Sequence, residues 1–413
     1  MTDEIVARYA AVFVRVFPHN GTLLIGRDLR ASSPRIAHSV ASGAAVSGAR
    51  AIDCGVLPTP ALALAAMERG TLAVMVTGSH IPGDRNGLKF YRADGEITKE
   101  DEALLVSGVA TADMGGAVDP IVDPVDVSAA YVARYRDFWE ANALSGLRIG
   151  VWEHSSAARA ILPELLGALG AEVVALGRSD DFIAVDTEAI DPAMRKQLAT
   201  WVSEHALDAL VSTDGDADRP LIVDGGGSVV PGDIIGPIAA RALGASRVVT
   251  TVSAHTIVER MEAFEVVERC KIGSPFVIAG MVDLGGEEGA KTIGYEPNGG
   301  LILGFEPRRG SKRLAPLMTR DAVLPIIAVL AATRPSSLRG LVDALPNRRT
   351  ATDRLTDIPR EASLALTRAL IAGDRIILPD DLTEMRSIDT TDGARVAFDD
   401  DVIVTVRPSG NAP

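Results

Sequence analysis

Short apolar runs recur along the chain, each followed by a stretch long enough for a helix. Leu23-Leu24-Ile25-Gly26, Ala49 to Val56, Leu72 to Val76, Leu147 to Trp152, Leu207 to Val211, Arg247 to Val252 and Val402 to Val406 read as buried strands. Between them, Ser32-Ser33-Pro34 predicts a helix start with a hydroxyl cap and an early proline. Further helices are expected after Pro58-Thr59-Pro60 and over Ala157 to Leu169. At the N-terminus Val6, Tyr9, Ala10, Phe13, Val14 and Phe17 repeat at helical spacing after an acidic start, which predicts a core-packed helix rather than a signal peptide. Strand and helix alternate as in parallel βαβ layers, so the expected fold class is α/β. Three units share this layout without residue-level repetition, which places three strand-tip loops around one cleft. From Pro335 the rhythm breaks. An arginine-, proline- and aspartate-rich opening reads as a linker, and the strand Val402 to Val406 then delivers Arg407-Pro408-Ser409-Gly410-Asn411.

Composition narrows the partners. A chain of 413 residues, 47% hydrophobic and 23% charged, has room for two to four domains with sizeable cores. A net charge of −14 disfavours nucleic acid and anionic membrane, so any phosphate must be gripped locally. Cys54 and Cys270 have no metal-ligand spacing and no disulfide framework, which makes the cytoplasm the default compartment. No uninterrupted apolar stretch is long enough to span a bilayer. No coiled-coil stripe implies a protein partner.

Two strand tips carry the candidate chemistry. Ser79 ends Leu72-Ala73-Val74-Met75-Val76-Thr77-Gly78-Ser79-His80-Ile81-Pro82, and a hydroxyl beyond the carboxyl end of a strand is presented to ligand rather than packed. Asp214-Gly215-Asp216-Ala217-Asp218-Arg219 follows the run Leu207 to Val211. Its alternating carboxylates repel one another unless neutralised, and hard divalent cations favour such oxygens. An EF-hand loop is excluded, because Arg219 stands where its turn glycine belongs and Gly225 where its bidentate glutamate belongs. Ser79 and His80 do not make a hydrolase pair: adjacent residues on an extended tip point apart, and no Gly-x-Ser-x-Gly turn surrounds the serine. A capping turn made by Thr77 and Ser79 is the structural alternative. Lys89, on a short strand after Gly83 to Gly87, is expected to fold back over the serine. In a partly desolvated cleft its lowered pKa would suit general acid/base work.

The ordered set Gly26-Arg27-Asp28-Leu29-Arg30, Thr77 to Pro82, Asn86-Gly87-Leu88-Lys89, Asp214 to Arg219, Gly294 to Gly300 and Arg407 to Gly410 resembles the α-D-phosphohexomutase family over nearly the whole chain. The resemblance implies three related mixed-sheet α/β domains and a smaller α+β C-terminal domain around a central cleft, expected at residues 1–122, 123–228, 229–334 and 335–413. It implies phosphoryl transfer through phospho-Ser79, with Ser79, Asp214, Asp216 and Asp218 holding Mg2+. His80, Lys89 and Arg219 are then catalytic. Arg27, Glu296, Asn298, Arg407, Ser409, Gly410 and Asn411 bind a small hexose phosphate, and a hexose 1,6-bisphosphate is intermediate and activator. Phosphomannomutase activity is favoured, with phosphoglucomutase or phosphoglucosamine mutase activity, a metal-dependent phosphatase and a non-catalytic sugar-phosphate binder as alternatives. Three places depart from the family pattern: Gly300 ends the sugar loop where histidine is usual, Ser274 stands where bacterial relatives often have histidine, and Asn411-Ala412-Pro413 replaces Thr-Glu-Pro. Relative to that pattern the chain is expected to be shortened at both ends.

Overall fold

The computed structural model describes residues 2–112, 120, 122–286, 289–334, 336–351, 358–375 and 378–408. Three sheets repeat one plan. In the first, the central strand Thr22–Arg27 is flanked in parallel by Arg50–Val56 and Leu72–Val76; Leu88–Arg92 and Gly95–Glu96 then add antiparallel, and Val122–Pro124 joins at the opposite edge. In the second, Arg148–Trp152 lies between parallel Glu172–Leu176 and Ala209–Thr213, followed antiparallel by Pro220–Asp224 and Val229–Val230. In the third, Arg247–Thr251 lies between parallel Val266–Cys270 and Thr292–Tyr295, followed antiparallel by Leu301–Leu303 and Leu317–Asp321. The hairpin that leaves the third strand is therefore the same topological position in all three units. It carries Ser79 in the first, Asp214 to Asp218 in the second and Glu296 to Gly300 in the third.

Side-chain alternation explains the layering. Leu23, Ile25, Leu72, Val74 and Val76 point to one face of the first sheet, where they pack with Val6, Ala10, Phe13 and Val14 of the helix Asp3–Val16 and with the helix Ser33–Val46. Leu24, Ala73 and Met75 point to the other face, against the helix Thr59–Arg69. That second cluster runs without a break into the cores of the next two units through Tyr131, Ile149, Ile235 and Val329. A buried carboxylate reinforces the junction: Asp321, at the end of the third sheet, accepts from the hydroxyls of Tyr131 (2.7 Å) and Tyr135.

Three local readings change. Ser32 precedes the helix in αR backbone and leaves the first-turn amides uncapped; its hydroxyl instead accepts from Asn86 Nδ2 at 2.9 Å. The expected helix over Ala157 to Leu169 starts only at Ile161; upstream of it, Ala157 N–H donates to the Gly215 carbonyl at 3.0 Å. The expected linker after Pro335 contains a helix, Leu338–Asp343, capped by Ser337. The C-terminal strands Met385–Asp389, Ala394–Phe398 and Ile403–Val406 form an antiparallel sheet that buries Ala394, Val396 and Phe398 with Leu370 of the helix Arg360–Ile371. This unit is tied to the third by Arg260–Asp401 at 2.6 Å and by Ile272 N–H to Asp392 at 2.9 Å.

Candidate active site

Ser79 sits in left-handed backbone (φ 52°), and a buried guanidinium holds it there. Arg30 has no exposed side-chain surface. Its terminal nitrogens donate to the carbonyls of Ser79, Ile81, Pro82 and Arg85 at 2.5–2.9 Å, while Nε donates to Asp28 at 3.0 Å. Asp28 also accepts from the hydroxyls of Ser33 and Thr77, and Thr77 Oγ accepts from Ser79 N–H. One ion pair thus fixes both flanks of the serine loop. The ring of Phe182, from the second unit, covers the Arg30 guanidinium at 4.0 Å. Gly78 and Gly215 are required by this approach, since a Cβ on either would come within 2.8 Å of Arg30 Cζ or Phe182 Cζ.

Across the crevice, Ser79 Oγ donates to Asp214 Oδ2 at 2.6 Å. Asp214, Asp216 and Asp218 are buried, and one ligand atom from each lies within 4.8 Å of the others. Outer contacts occupy one oxygen of each acid. Asp214 Oδ1 accepts from the N–H groups of Asp218 and Arg219 at 3.2 Å. Asp216 Oδ2 accepts from Lys89 Nζ at 2.6 Å and from the Thr59 hydroxyl, and Asp218 Oδ2 accepts from Lys89 Nζ (2.6 Å) and Arg320 Nη2 (2.7 Å). Asp216 Oδ1 and Asp218 Oδ1, although buried, have no hydrogen-bond partner. Two orphaned carboxylate oxygens beside a third that meets the serine hydroxyl form an all-oxygen donor set suited to a hard divalent cation. The residues fit a metal ion.

The electrostatics divide the trio. Burial and repulsion from Asp216 and Asp218 push Asp214 well above the ordinary carboxylate range. Burial would raise Asp218 as well, but Arg320, Lys89 and Arg219 outweigh it and hold Asp218 below that range. Lys89 corrects an expectation. Burial alone would lower it, yet the carboxylates of Asp216 and Asp218 outweigh burial, so its pKa is raised and the group is an ammonium. His80 is lowered to about 4 by burial and by Arg219, against the pull of Asp186 at 4.0 Å, and is neutral near pH 7. Arg219 lies 3.8–3.9 Å from Asp214, Asp218 and Glu188.

The sugar-loop candidates reach the same crevice. Glu296 is buried and accepts from Arg320 Nη1 at 2.8 Å, and Asn298 Oδ1 accepts from Gly300 N–H at 2.9 Å. A Cβ at Gly300, the position without histidine, would lie 2.7 Å from the Asp218 carbonyl, so the two loops touch there. Ser274, the other such position, donates to Glu96 at 2.8 Å and thereby joins the third unit to the first. Arg27 lies apart from the serine network, its guanidinium turned to Asp53 at 2.5 Å. Arg407 pairs with Asp392 at 3.0 Å, while Ser409, Gly410 and Asn411 lie outside the described residues. Arg30, Thr59, Phe182 and Arg320 were not among the expected site residues. Arg30 stood within a recognised motif, but the others carry no local signal.

Comparisons with known proteins agree with this geometry. The family described as phosphoglucomutase/phosphomannomutase, alpha/beta/alpha domain I, matches residues 1–114, and its domain II matches residues 129–227. A phosphomannomutase of Sinorhizobium fredii is 41% identical, covering 100% of this chain and 90% of the relative. Another, of Salmonella muenchen, is 39% identical over 100% of this chain and 87% of its own length. A solved phosphoglucomutase/phosphomannomutase family protein from Burkholderia thailandensis shares the fold, with a TM-score of 0.78 and 20% identity over 100% of this chain and 87% of that one. The chain belongs to the α-D-phosphohexomutase family and is a phosphohexomutase, an isomerase of the intramolecular phosphotransferase class. No helix among the described residues is long and apolar enough to cross a membrane.

Proposed function

We propose that the protein interconverts mannose 1-phosphate and mannose 6-phosphate, with Ser79 carrying the phosphoryl group and a hexose 1,6-bisphosphate as intermediate and activator. The observation behind this reading is the contact between Ser79 Oγ and Asp214, which joins the hydroxyl to a buried trio of acids. The mannose assignment is supported by the relatives named phosphomannomutase that align with the whole chain. Asp214, Asp216 and Asp218, with the phosphate on Ser79, would hold Mg2+, which when bound offsets the phosphate charge and polarises phosphorus for in-line attack.

The chain's own groups define the rest. In the first half-reaction the free hydroxyl of a mannose phosphate gives up its proton and forms a P–O bond as the bond to Ser79 Oγ breaks, and the serine oxygen takes up a proton. In the second half-reaction Ser79 gives its proton up as it attacks the other phosphate of the bisphosphate, and the sugar oxygen released by that P–O cleavage takes one up. Lys89, on the strand beside the loop, is assigned as the group that supplies and recovers this proton. His80 and Arg219 orient charge near the serine. Glu296 and Asn298 read sugar hydroxyls, Arg27 contributes from the first unit, and Arg407 with Ser409, Gly410 and Asn411 grips the non-reacting phosphate. A coupled assay on mannose 1-phosphate with a trace of hexose 1,6-bisphosphate tests this. Mannose 6-phosphate should form without inorganic phosphate. Stoichiometric phosphate release would favour a phosphatase, and turnover of glucose phosphates alone would overturn the substrate.

A further inference from the structure

Arg320 connects two loops to which the reaction gives separate tasks. It lies on the last strand of the third sheet, Leu317–Asp321, between the acid loop of the second unit and the sugar loop of the third. Its fork is divided: Nη2 donates to Asp218 Oδ2 at 2.7 Å and Nη1 donates to Glu296 Oε2 at 2.8 Å. All three side chains are almost wholly removed from solvent, with 13% of Arg320, 2% of Asp218 and 5% of Glu296 exposed. A planar guanidinium sets the separation and relative tilt of the two carboxylates it bridges, which a lysine ammonium does not. With Lys89 and Arg320 both on Oδ2, Asp218 is turned so that Oδ1 is the oxygen without a hydrogen bond, 3.8 Å from Arg219 Nε. The atom left for a cation is therefore set in part by a residue whose other nitrogen holds the sugar-reading glutamate.

We propose that Arg320 is a positioning residue that couples sugar recognition to the cation loop: a hexose engaging Glu296 shifts the guanidinium, and Asp218 responds. The inference rests on the sugar-phosphate reading of this cleft. Binding linkage tests it without turnover, because coupling between two ligands is reciprocal and measurable as a ratio of affinities. Mn2+ is titrated into the Ser79→Ala protein alone, with mannose 1-phosphate, and with inorganic phosphate, which brings the charge without the hydroxyls. Mannose 1-phosphate should tighten Mn2+ binding at least about fivefold more than inorganic phosphate does. In Arg320→Met that surplus should vanish, although Mn2+ and mannose 1-phosphate each still bind. Arg320→Lys, which keeps the buried positive charge and guards against misfolding, should lose most of it. A surplus of undiminished size in either variant, or none in the Arg320 protein, overturns the coupling. Absence of any mannose 1-phosphate binding in the Arg320 protein would instead overturn the substrate reading, and the coupling with it.

Discussion

Ser79 Oγ and Asp214 Oδ2 stand 2.6 Å apart although 135 residues separate them in the chain. Each lies just past the third strand of its own sheet, so the same loop position in two units converges on one point, and Glu296 brings the third unit to it through Arg320. Repetition of one topology explains why short segments far apart in sequence act as a single site.

The Arg30–Asp28 pair should be a condition of that convergence. Arg30→Met leaves a buried carboxylate without its cation and four loop carbonyls without their donor, so stability should fall by about 3–5 kcal/mol in urea unfolding. The double variant Asp28→Asn/Arg30→Met should recover part of the stability, because no unpaired charge remains, while activity stays low since the serine loop is no longer held. Recovery of activity along with stability would show that the clamp acts on folding alone.

Gly215→Ala tests how closely the two loops approach. Its Cβ would meet Phe182 Cζ at 2.8 Å and the Ser79 carbonyl at 3.0 Å, which forces the serine and acid loops apart. A displacement on the order of 1 Å should reduce kcat by about 100-fold. Adding Phe182→Leu relieves only the first clash, so rescue should be partial. Steady-state rates of the single and double variants check this.

Lys89 is held by the two acids whose other oxygens have no hydrogen bond. Lys89→Met should cost about 10²–10⁴ in kcat if it is the proton carrier. Mn2+ affinity should be kept or strengthened, because a competing positive charge is gone. Loss of metal binding in parallel with rate would assign the lysine to the architecture of the acid loop instead.

His154 gives a pH prediction independent of catalysis. It is fully buried, its Nε2–H donates to the Thr213 carbonyl at 3.0 Å, and burial lowers its pKa from 6.5 to about 4. The unfolded chain therefore takes up a proton near pH 6.5 that the folded chain refuses until about pH 4. Stability is fully present above pH 6.5 and should fall by about 3 kcal/mol as pH drops through that window. His154→Gln, which can still donate to Thr213, should remove this contribution from urea titrations between pH 4 and 7, leaving that of His80, which is also lowered to about 4.

The alternation of apolar runs was enough to place the strand tips, and the carboxylate spacing was enough to mark a cation loop, because both are local patterns. Contacts between units were not legible. Nothing near Arg320 in Leu317-Met318-Thr319-Arg320-Asp321 distinguishes a buried guanidinium from a surface one, and Thr59 reads as a helix start rather than as a donor to Asp216. The direction of the Lys89 shift is not legible for the same reason: the strand indicates burial, but the two carboxylates that outweigh it come from another unit. Ser32 shows the limit at short range, since its αR backbone, absent from any composition signal, decides where the hydroxyl points.

The other roles in this cleft depend on Ser79 carrying the phosphoryl group. Intact mass of the protein after brief incubation with hexose 1,6-bisphosphate and Mg2+ tests it most directly, with Ser79→Ala alongside. The protein should gain one phosphoryl group, mapped to the peptide containing Ser79 and lost when excess mannose 1-phosphate is added, with no gain in the variant. An unchanged mass in the Ser79 protein, or an equal gain in Ser79→Ala, would contradict it.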